Sequence, residues 1–195
     1  MRSAQIERKT AETDVRLTLS LDGAGRAQID TDVGFLDHML TLFAAHGRFD
    51  LTVRCAGDTQ VDDHHGVEDV GIALGDAVAQ VLGEKRGIRR YGSMLLPMDE
   101  ALVLCAVDLS GRCCLRMQAA FPSQKIGTFD TELVEEFFTA FSRHAGATLH
   151  LRQLDGTNSH HIAEAMFKAF GRALSEAVSP DARLAGEIPS TKGAL

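Results

Sequence analysis

The 195-residue sequence lacks several features that would each assign it to a particular class of protein. No apolar stretch approaches the roughly 18 residues that a membrane-spanning helix needs, and the N-terminus carries no basic, apolar leader. We therefore expect neither a membrane protein nor a secreted one. Positive charge is scarce as well: the formal net charge is −7, which argues against a general nucleic-acid binder, because such proteins usually carry a basic face. No low-complexity segment is present.

Cysteine is scarce, and its spacing gives no metal-binding motif. The four cysteines, Cys55, Cys105, Cys113 and Cys114, show no CxxC pattern and lie in apolar, strand-like stretches. We predict buried free thiols in a reducing cytoplasm and assign them no chemistry. The sequence is otherwise that of an ordinary globular protein, with 45% hydrophobic and 24% charged residues, and it is long enough to bury a core.

Two short segments share the unusual pattern HHxxE. They span residues 64–68 and 160–164, lie 96 positions apart and contain four of the eight histidines. On a helix, the first histidine and the glutamate of each segment share a face, whereas the second histidine points about 100° away. Imidazole and carboxylate groups bind manganese, iron and zinc, and this ligand set does not choose among them. Each segment therefore predicts a two-point chelate for one metal and a single nitrogen for another.

The repeat extends beyond these segments and predicts a tandem duplication. Each half reads as a hairpin of two strands, a helix, a third strand and a long helix that the HHxxE segment opens. This order predicts an α+β fold in which each β-β-α-β-α half is a sheet covered by two helices. We place the halves at residues 1–88 and 89–195, the second with an irregular C-terminal tail, within one compact catalytic unit.

The predicted elements follow from apolar periodicity and turn residues. The predicted hairpins are 15–21 with 26–29 and 102–109 with 112–117. The predicted helices are 35–45, 70–82, 133–143 and 163–178, and the remaining strands are 51–55 and 149–152. Asp63 and Ser159 are the predicted N-caps of the two long helices.

Two further candidate ligands occupy equivalent places on the first helix of each half. His38 and Glu136 lie 98 positions apart. On its own, His38 is as typical of a structural histidine as of a functional one. Its pairing with Glu136, another possible ligand, favours a function for both residues. A harmless surface patch copied by duplication would not need to keep all three groups of HHxxE in both halves. The candidate metal ligands are therefore His38, His64, His65, Glu68, Glu136, His160, His161 and Glu164.

A second group of residues has the chemistry of a phosphate-monoester receptor. Taken singly, each basic residue is also typical of a solvated surface, and sequence spacing alone does not bring them together. The members are Arg90, Arg112, Lys168, Ser190 and Lys192.

Longer motifs resemble the imidazoleglycerol-phosphate dehydratase family. They lie at residues 34–39, 62–71, 97–101, 108–112, 158–165, 167–170 and 189–193, so the resemblance covers essentially the whole chain. It implies a cytoplasmic hydro-lyase of histidine biosynthesis that converts imidazole glycerol phosphate to imidazole acetol phosphate. It also implies two Mn²⁺ ions per active site, trimers that build a homo-oligomer of 24 subunits, and active sites between subunits.

The resemblance also implies a role for each candidate residue. One metal would be held by His38, His65, His160 and Glu164, and the other by His64, Glu68, His161 and the residue at 136. Many family members carry histidine where this chain has Glu136. Arg90, Arg112, Lys168, Ser190 and Lys192 would bind the phosphate, Glu12 and His46 would contact the substrate, and Glu12, Glu68 and Glu164 would be catalytic. Glu12 is the predicted base, although its equivalence to Glu100 in the other half also allows a structural role.

Two other classes of protein fit the residues without the resemblance. A dinuclear hydrolase of phosphoesters would use the same metals to activate a water molecule and would release phosphate. A non-catalytic metal-storing shell would use the HHxxE segments to join subunits, and its basic residues would have no reason to converge on the metals.

Overall fold

The computed structural model describes residues 2–184 and 186–195, which form ten strands and four α-helices. The helices are α1 (Gly34–Gly47), α2 (His64–Leu82), α3 (Leu133–Ala145) and α4 (Ser159–Val178). The strands of the first half are β1 (Ser3–Lys9), β2 (Thr13–Ser20), β3 (Ala27–Asp30) and β4 (Asp50–Gly57). Those of the second half are β5 (Tyr91–Met98), β6 (Ala101–Asp108), β7 (Cys114–Gln118), β8 (Lys125–Ile126), β9 (Phe129–Asp130) and β10 (Thr148–Asp155).

Each half of the chain forms one four-stranded sheet, and the two sheets have the same topology. Their strand orders are β1-β2-β4-β3 and β5-β6-β10-β7. The edge strand β3 runs parallel to β4, and the edge strand β7 runs parallel to β10. The other neighbouring strands in both sheets are antiparallel. Two helices cover each sheet, α1 and α2 in the first half and α3 and α4 in the second. The predicted α+β class and the duplicated half, a sheet under two helices, are confirmed. The boundary after residue 88 falls between α2 and β5 and stays a prediction.

The predicted strand pairing within each half is wrong. Strands β2 and β3 are not neighbours, because β4 lies between them, and the true hairpins are β1–β2 and β5–β6. Each four-stranded sheet therefore takes three of its strands from before the first helix of its half, and in the second half the short β8–β9 pair also precedes that helix. The turn at Gly23 does not close a hairpin because the Asp50 carboxylate accepts hydrogen bonds from the amides of Ala24 (2.8 Å) and Arg26 (3.0 Å). These bonds hold the loop over the start of β4, which then inserts between the two strands.

The predicted burial of the cysteines holds for only part of the set. Cys55 and Cys105 are buried on central strands of the two sheets, and burial raises the pKa of the Cys55 thiol to about 11. Cys113 is exposed and Cys114 is half-buried, which corrects the prediction. Cys114 is the first residue of β7, an edge strand that fewer neighbours cover, and Cys113 lies just before it.

The helices of the two halves pack against each other through glycines that allow close approach. On α2, a Cβ at Gly71 would lie 2.8 Å from the carbonyl oxygen of Phe137, and one at Gly75 would lie 2.8 Å from that of Phe141. Because the contact advances by four residues on both helices, α2 and α3 run parallel.

Helices α1 and α4 are parallel for the same reason. His38 faces Glu164 near their N-termini, and one to two turns later a Cβ at Gly171 would lie 2.6 Å from the carbonyl oxygen of Phe43. Phenylalanine rings of α3 and α4 also meet in order along the chain, at centroid distances of 4.8–5.4 Å. All four helices therefore start at the same end of the helical layer. Both HHxxE segments, which open α2 and α4, lie at that end. No helix among the described residues is long and apolar enough to cross a membrane.

Candidate active site

His38, His160 and Glu164 form a cluster in which one ligand atom of each lies within 4.8 Å of the others. The Glu164 carboxylate faces both rings through Oε2, at 3.4 Å from His38 Nε2 and 3.0 Å from His160 Nε2. Its other oxygen lies 2.5 Å from Nζ of Lys168. No other three histidine, cysteine, aspartate or glutamate side chains in residues 2–184 and 186–195 come as close together.

Electrostatics keep the Glu164 carboxylate ionised although only 6% of the residue is exposed. Burial acts to raise its pKa, but the hydrogen bond and charge of Lys168, with smaller contributions from His160 and His38, hold the pKa below its usual value. A buried carboxylate beside two imidazole nitrogens is a donor set that a divalent metal accepts.

The start of α4 is fixed by a cap one residue earlier than predicted. The side chain of Asn158, not Ser159, accepts hydrogen bonds from the amides of His160 (2.9 Å) and His161 (3.3 Å). Ser159 is the first residue of the helix, and its hydroxyl accepts a bond from the amide of Ser123. The cap orients the two histidines by fixing the backbone that carries them.

The second cluster predicted from the duplication is less closely assembled. His64 and Glu68 lie one turn apart at the start of α2, and Glu136 lies in the first turn of α3, which packs parallel to α2. These three residues do not meet the 4.8 Å spacing found in the first cluster. Asp63 occupies the N-cap position of α2 without a side-chain bond, and the Asp62 carboxylate instead accepts a bond from the His64 amide at 2.9 Å.

The second histidine of each HHxxE segment is held by a carboxylate at its Nδ1 atom. His161 Nδ1 lies 2.6 Å from Glu100 Oε2, and His65 Nδ1 lies 3.1 Å from both carboxylate oxygens of Asp58. These bonds raise the pKa of each imidazole. They also direct Nε2 outward, which is how second carboxylates orient metal-binding histidines in proteins.

Glu12 and Glu100 occupy equivalent turns but point in different directions. Glu100 is fully engaged, because it accepts the His161 bond and the amides of Asn158 (2.8 Å) and Thr157 (3.2 Å). The His161 bond, followed by the Asn158 amide, lowers the pKa of Glu100 to about 2. Glu12 instead faces the outward Nε2 of His65 at 3.8 Å, with 54% of its side chain exposed. The two equivalent residues have therefore diverged.

A buried network holds the turn that carries Glu12. The Asp69 carboxylate accepts bonds from Arg8 Nε (2.8 Å) and from the hydroxyl of Thr13. Thr10 closes the turn by accepting bonds from the amides of Glu12 (3.1 Å) and Thr13 (2.9 Å). Because Asp69 follows Glu68 on α2, this network ties the turn directly to the HHxxE helix.

Sequence reasoning missed the partners that orient these residues. Asp58 lies seven residues before His65 in a loop, and nothing in the sequence indicates that the two meet. Asp69 could have been suspected, because a charged residue on the apolar face of a helix needs a buried partner.

The predicted phosphate receptor is split into two parts in a single chain. Lys168 lies at the metal cluster, close to His46, whose pKa is lowered by burial first and then by the charges of Lys168 and Arg172. Arg90 and Arg112 instead lie at Asp108.

Arg90 and Arg112 share the Asp108 carboxylate, Arg90 with Nε at 2.7 Å and Arg112 with Nη2 at 3.8 Å. Arg90 also donates from Nη1 to the carbonyl of Pro189 at 2.8 Å, which brings the tail with Ser190 and Lys192 to this group. In its described residues, 180–184 and 186–195, the tail is irregular, as predicted, apart from a bridge between Pro180 and Ile88 and a 3₁₀ turn at Ala182–Leu184.

The two parts lie at opposite ends of α4. The Arg90 amide donates to the carbonyl of Ala177 at the C-terminal end of the helix, whereas His160 is in its first turn. At 1.5 Å per residue, the intervening 17 residues span about 25 Å. One chain therefore does not bring the Arg90 group to its own metal cluster.

Comparison with known proteins agrees with the resemblance seen in the sequence. Residues 31–174 match the family model described as imidazoleglycerol-phosphate dehydratase. Proteins of that name from Jannaschia sp. and Cereibacter sphaeroides are 62% and 61% identical to this chain, each over 195 residues and the full length of both chains. One from Desulforamulus reducens is 60% identical over 194 residues, which cover 100% of this chain and 98% of that protein.

Solved structures agree as well. The crystal structure of imidazoleglycerol-phosphate dehydratase from Staphylococcus aureus matches with a TM-score of 0.84 and 42% identity, covering 92% of this chain and 99% of that one. The enzyme from Pyrococcus furiosus, in complex with (S)-C348, matches with a TM-score of 0.84 and 35% identity, covering 97% and 100%. The chain therefore belongs to the imidazoleglycerol-phosphate dehydratase family and is a hydro-lyase of histidine biosynthesis.

Proposed function

We propose that this chain removes water from imidazole glycerol phosphate to give imidazole acetol phosphate, with two Mn²⁺ ions in each active site. The observation that carries the proposal is the cluster of His38, His160 and Glu164, whose ligand atoms lie within 4.8 Å of one another. The family to which the chain belongs supports the substrate.

The donor chemistry of the residues fits manganese. Nitrogen and oxygen ligands without sulfur suit Mn²⁺, and the buried, ionised Glu164 supplies negative charge. One ion would be held by His38, His160 and Glu164 with a His65, and the other by His64, Glu68 and Glu136 with a His161. Bound there, the metal would act as a Lewis acid that favours the anionic form of the substrate ring.

Side chains of the protein would remove the proton, orient the metal-binding histidines and contact the substrate. Glu12 is the base that removes the carbon-bound proton after the hydroxyl leaves, and the Asp69 network keeps its turn in place. Glu100 and Asp58 hold His161 and His65 so that Nε2 of each faces outward. Lys168 pairs with Glu164 and lies where it can meet the substrate.

The separation along α4 supports an active site shared between copies of the chain. An extended imidazole glycerol phosphate molecule is about 10 Å long, judged from covalent bond lengths. It cannot join a metal cluster and an Arg90 group that are about 25 Å apart on one chain. Arg90, Arg112, Ser190 and Lys192 would come from a neighbouring copy, in a homo-oligomer of 24 subunits. The free cysteines are compatible with the cytoplasm as its location.

Metal removal tests the proposal. We expect the purified assembly to contain two manganese ions per chain, to lose formation of the absorbing keto product after chelation, and to regain it with Mn²⁺. His160→Gln should lower metal content and turnover, on the order of a hundredfold for turnover. His150→Gln is the matched control, because His150 lies exposed on β10, away from the cluster.

Each alternative has its own outcome. Release of inorganic phosphate from the same substrate would support a phosphoester hydrolase. Loss of assembly on chelation, with no turnover in the metal-loaded protein, would support a non-catalytic shell.

A further inference from the structure

Lys85 is a buried lysine that the proposed reaction does not yet use. It lies between α2 and β5, and only 9% of the residue is exposed. No hydrogen bond or ion pair to its ammonium group is found within residues 2–184 and 186–195. Lysine is rarely buried unless it is paired, because removing an ammonium group from water is costly. Burial lowers the pKa of Lys85, and the charge of Asp108 partly opposes that shift.

The backbone at Lys85 is also unusual. Its φ of 57° lies in the left-handed region, which residues with a Cβ rarely adopt. Gly83 and Gly87 on either side take positive φ values at no such cost. Arg90, at the end of the same segment, has a φ of 69°. Two cationic residues therefore stand at strained positions where glycine or asparagine would be easier to accommodate. Strain of this kind is often found at functional sites.

The side chain of Lys85 reaches the group formed by Arg90, Arg112 and Asp108. A Cβ at Gly111, the residue before Arg112, would lie 3.8 Å from Nζ of Lys85. The same Cβ would lie 2.9 Å from the carbonyl carbon of Leu195, so the tail covers this place.

The charges in this group do not balance. Three cations, Lys85, Arg90 and Arg112, converge on the single carboxylate of Asp108. Counting a carboxylate at Leu195 as well still leaves one positive charge in excess. Lys85 and Arg90 are largely buried, whereas the Arg112 side chain is exposed to solvent. An excess of positive charge that includes two buried cations favours an anionic ligand, and a phosphate monoester offers up to two negative charges and three acceptor oxygens.

We infer that Lys85 is a further binding residue for the phosphate group of the substrate, beside Gly111 and the end of the tail. The inference rests on the proposed function, since it assumes that Arg90 and Arg112 bind phosphate for a neighbouring metal cluster. The Lys85 ammonium acts as a compact point charge, whereas the two guanidinium groups supply directed pairs of bonds.

The test uses variants that separate the ammonium from the backbone. Lys85→Gly and Lys85→Asn remove the charge but suit the left-handed backbone, and Lys85→Arg keeps the charge. Arg90→Met is the reference for a lost phosphate contact. Arg86→Gln is the matched control, because Arg86 is exposed and pairs with Glu84 in the same segment. In the manganese-loaded assembly we would measure KM, kcat, the inhibition constant of inorganic phosphate, its affinity by calorimetry, and the melting temperature.

For Lys85→Gly and Lys85→Asn we expect KM and the phosphate inhibition constant to rise on the order of tenfold or more, with little change in kcat. The melting temperature should stay the same or rise, and Lys85→Arg should recover part of the affinity. Unchanged phosphate affinity in both charge-removing variants, with loss in Arg90→Met, would refute the role of Lys85 and leave the proposed function intact. Unchanged affinity in all of them would refute the phosphate site itself. A lower melting temperature in both variants, with kcat and KM impaired together, would show a structural role and also overturn the inference.

Discussion

At the scale of single residues, side chains at equivalent positions of the two halves make different contacts. Glu12 and Glu100 stand in corresponding turns, yet Glu100 is tied to His161 and two backbone amides while Glu12 faces the free nitrogen of His65. The sequence alone could not separate their roles, because both turns look alike along the chain. Which carboxylate stays free depends on Asp58, a loop residue that takes the Nδ1 position at His65. Only the folded structure brings Asp58 and His65 together.

Because the two residues have diverged, the same Glu→Gln substitution should impair turnover at position 12 and metal binding at position 100. Glu12→Gln should keep both metals and substrate affinity but lower turnover about a hundredfold or more, since it removes a base. Glu100→Gln should lower manganese affinity by about tenfold to a hundredfold, because His161 loses the carboxylate that orients it. Metal content and steady-state kinetics of the two purified variants would distinguish them. Normal turnover in Glu12→Gln would show that Glu12 is not the base.

At the scale of helices and strands, local pattern predicted where the helices end better than where they begin, and it predicted the strand pairing poorly. Helices α2 and α4 start at His64 and Ser159, before the predicted residues 70 and 163. Apolar periodicity predicted α3 to within two residues at its end, and the HHxxE segments do open α2 and α4. The separation of β2 from β3 could not be predicted, because β4, which lies between them, comes from farther along the chain. Asp50, the first residue of β4, holds the loop between β2 and β3 through its carboxylate, and this contact has no local sequence pattern.

Because α1 and α4 pack closely, adding a side chain at their contact should destabilise the protein. Gly171→Ala should destabilise the protein by about 1–3 kcal/mol, because the new methyl group would meet the carbonyl of Phe43 at 2.6 Å and force the helices apart. Gly34→Ala, at the start of α1, is the matched control. Nothing lies within 4 Å of its Cβ, so the change should be neutral or slightly stabilising. Denaturant unfolding of both variants measures the difference, and equal midpoints would contradict the close contact.

At the scale of the whole molecule, the two parts of the proposed substrate site lie too far apart on one chain to bind the same substrate molecule. The metal cluster lies at the start of α4 and the Arg90 group at its far end, about 25 Å away by helix length. The sequence predicted both groups but not their separation, since the direction and length of α4 determine it.

Two inactive variants should therefore rescue each other. His160→Ala lacks the metal cluster and Arg90→Met lacks the phosphate contact, so each homo-oligomer should be nearly inactive. When they are co-expressed at equal levels, about a quarter of the sites should combine an intact cluster with an intact Arg90 group from a neighbour. Co-expression of His160→Ala with Lys168→Ala is the control, because both changes fall in one cluster. Absence of recovery in the first mixture would place the whole site within one chain.

The common starting end of the four helices has an electrostatic consequence for the chemistry there. Each peptide dipole points along its helix, so every N-terminus contributes about half a positive elementary charge. Four such fields add at the end of the layer that holds His38, His64 and His160. Bare cations are repelled from such a region unless anionic side chains compensate, which Glu164 and Glu68 would do in addition to their proposed role as metal ligands. In the proposed elimination, the same fields would stabilise the substrate ring when it loses its proton.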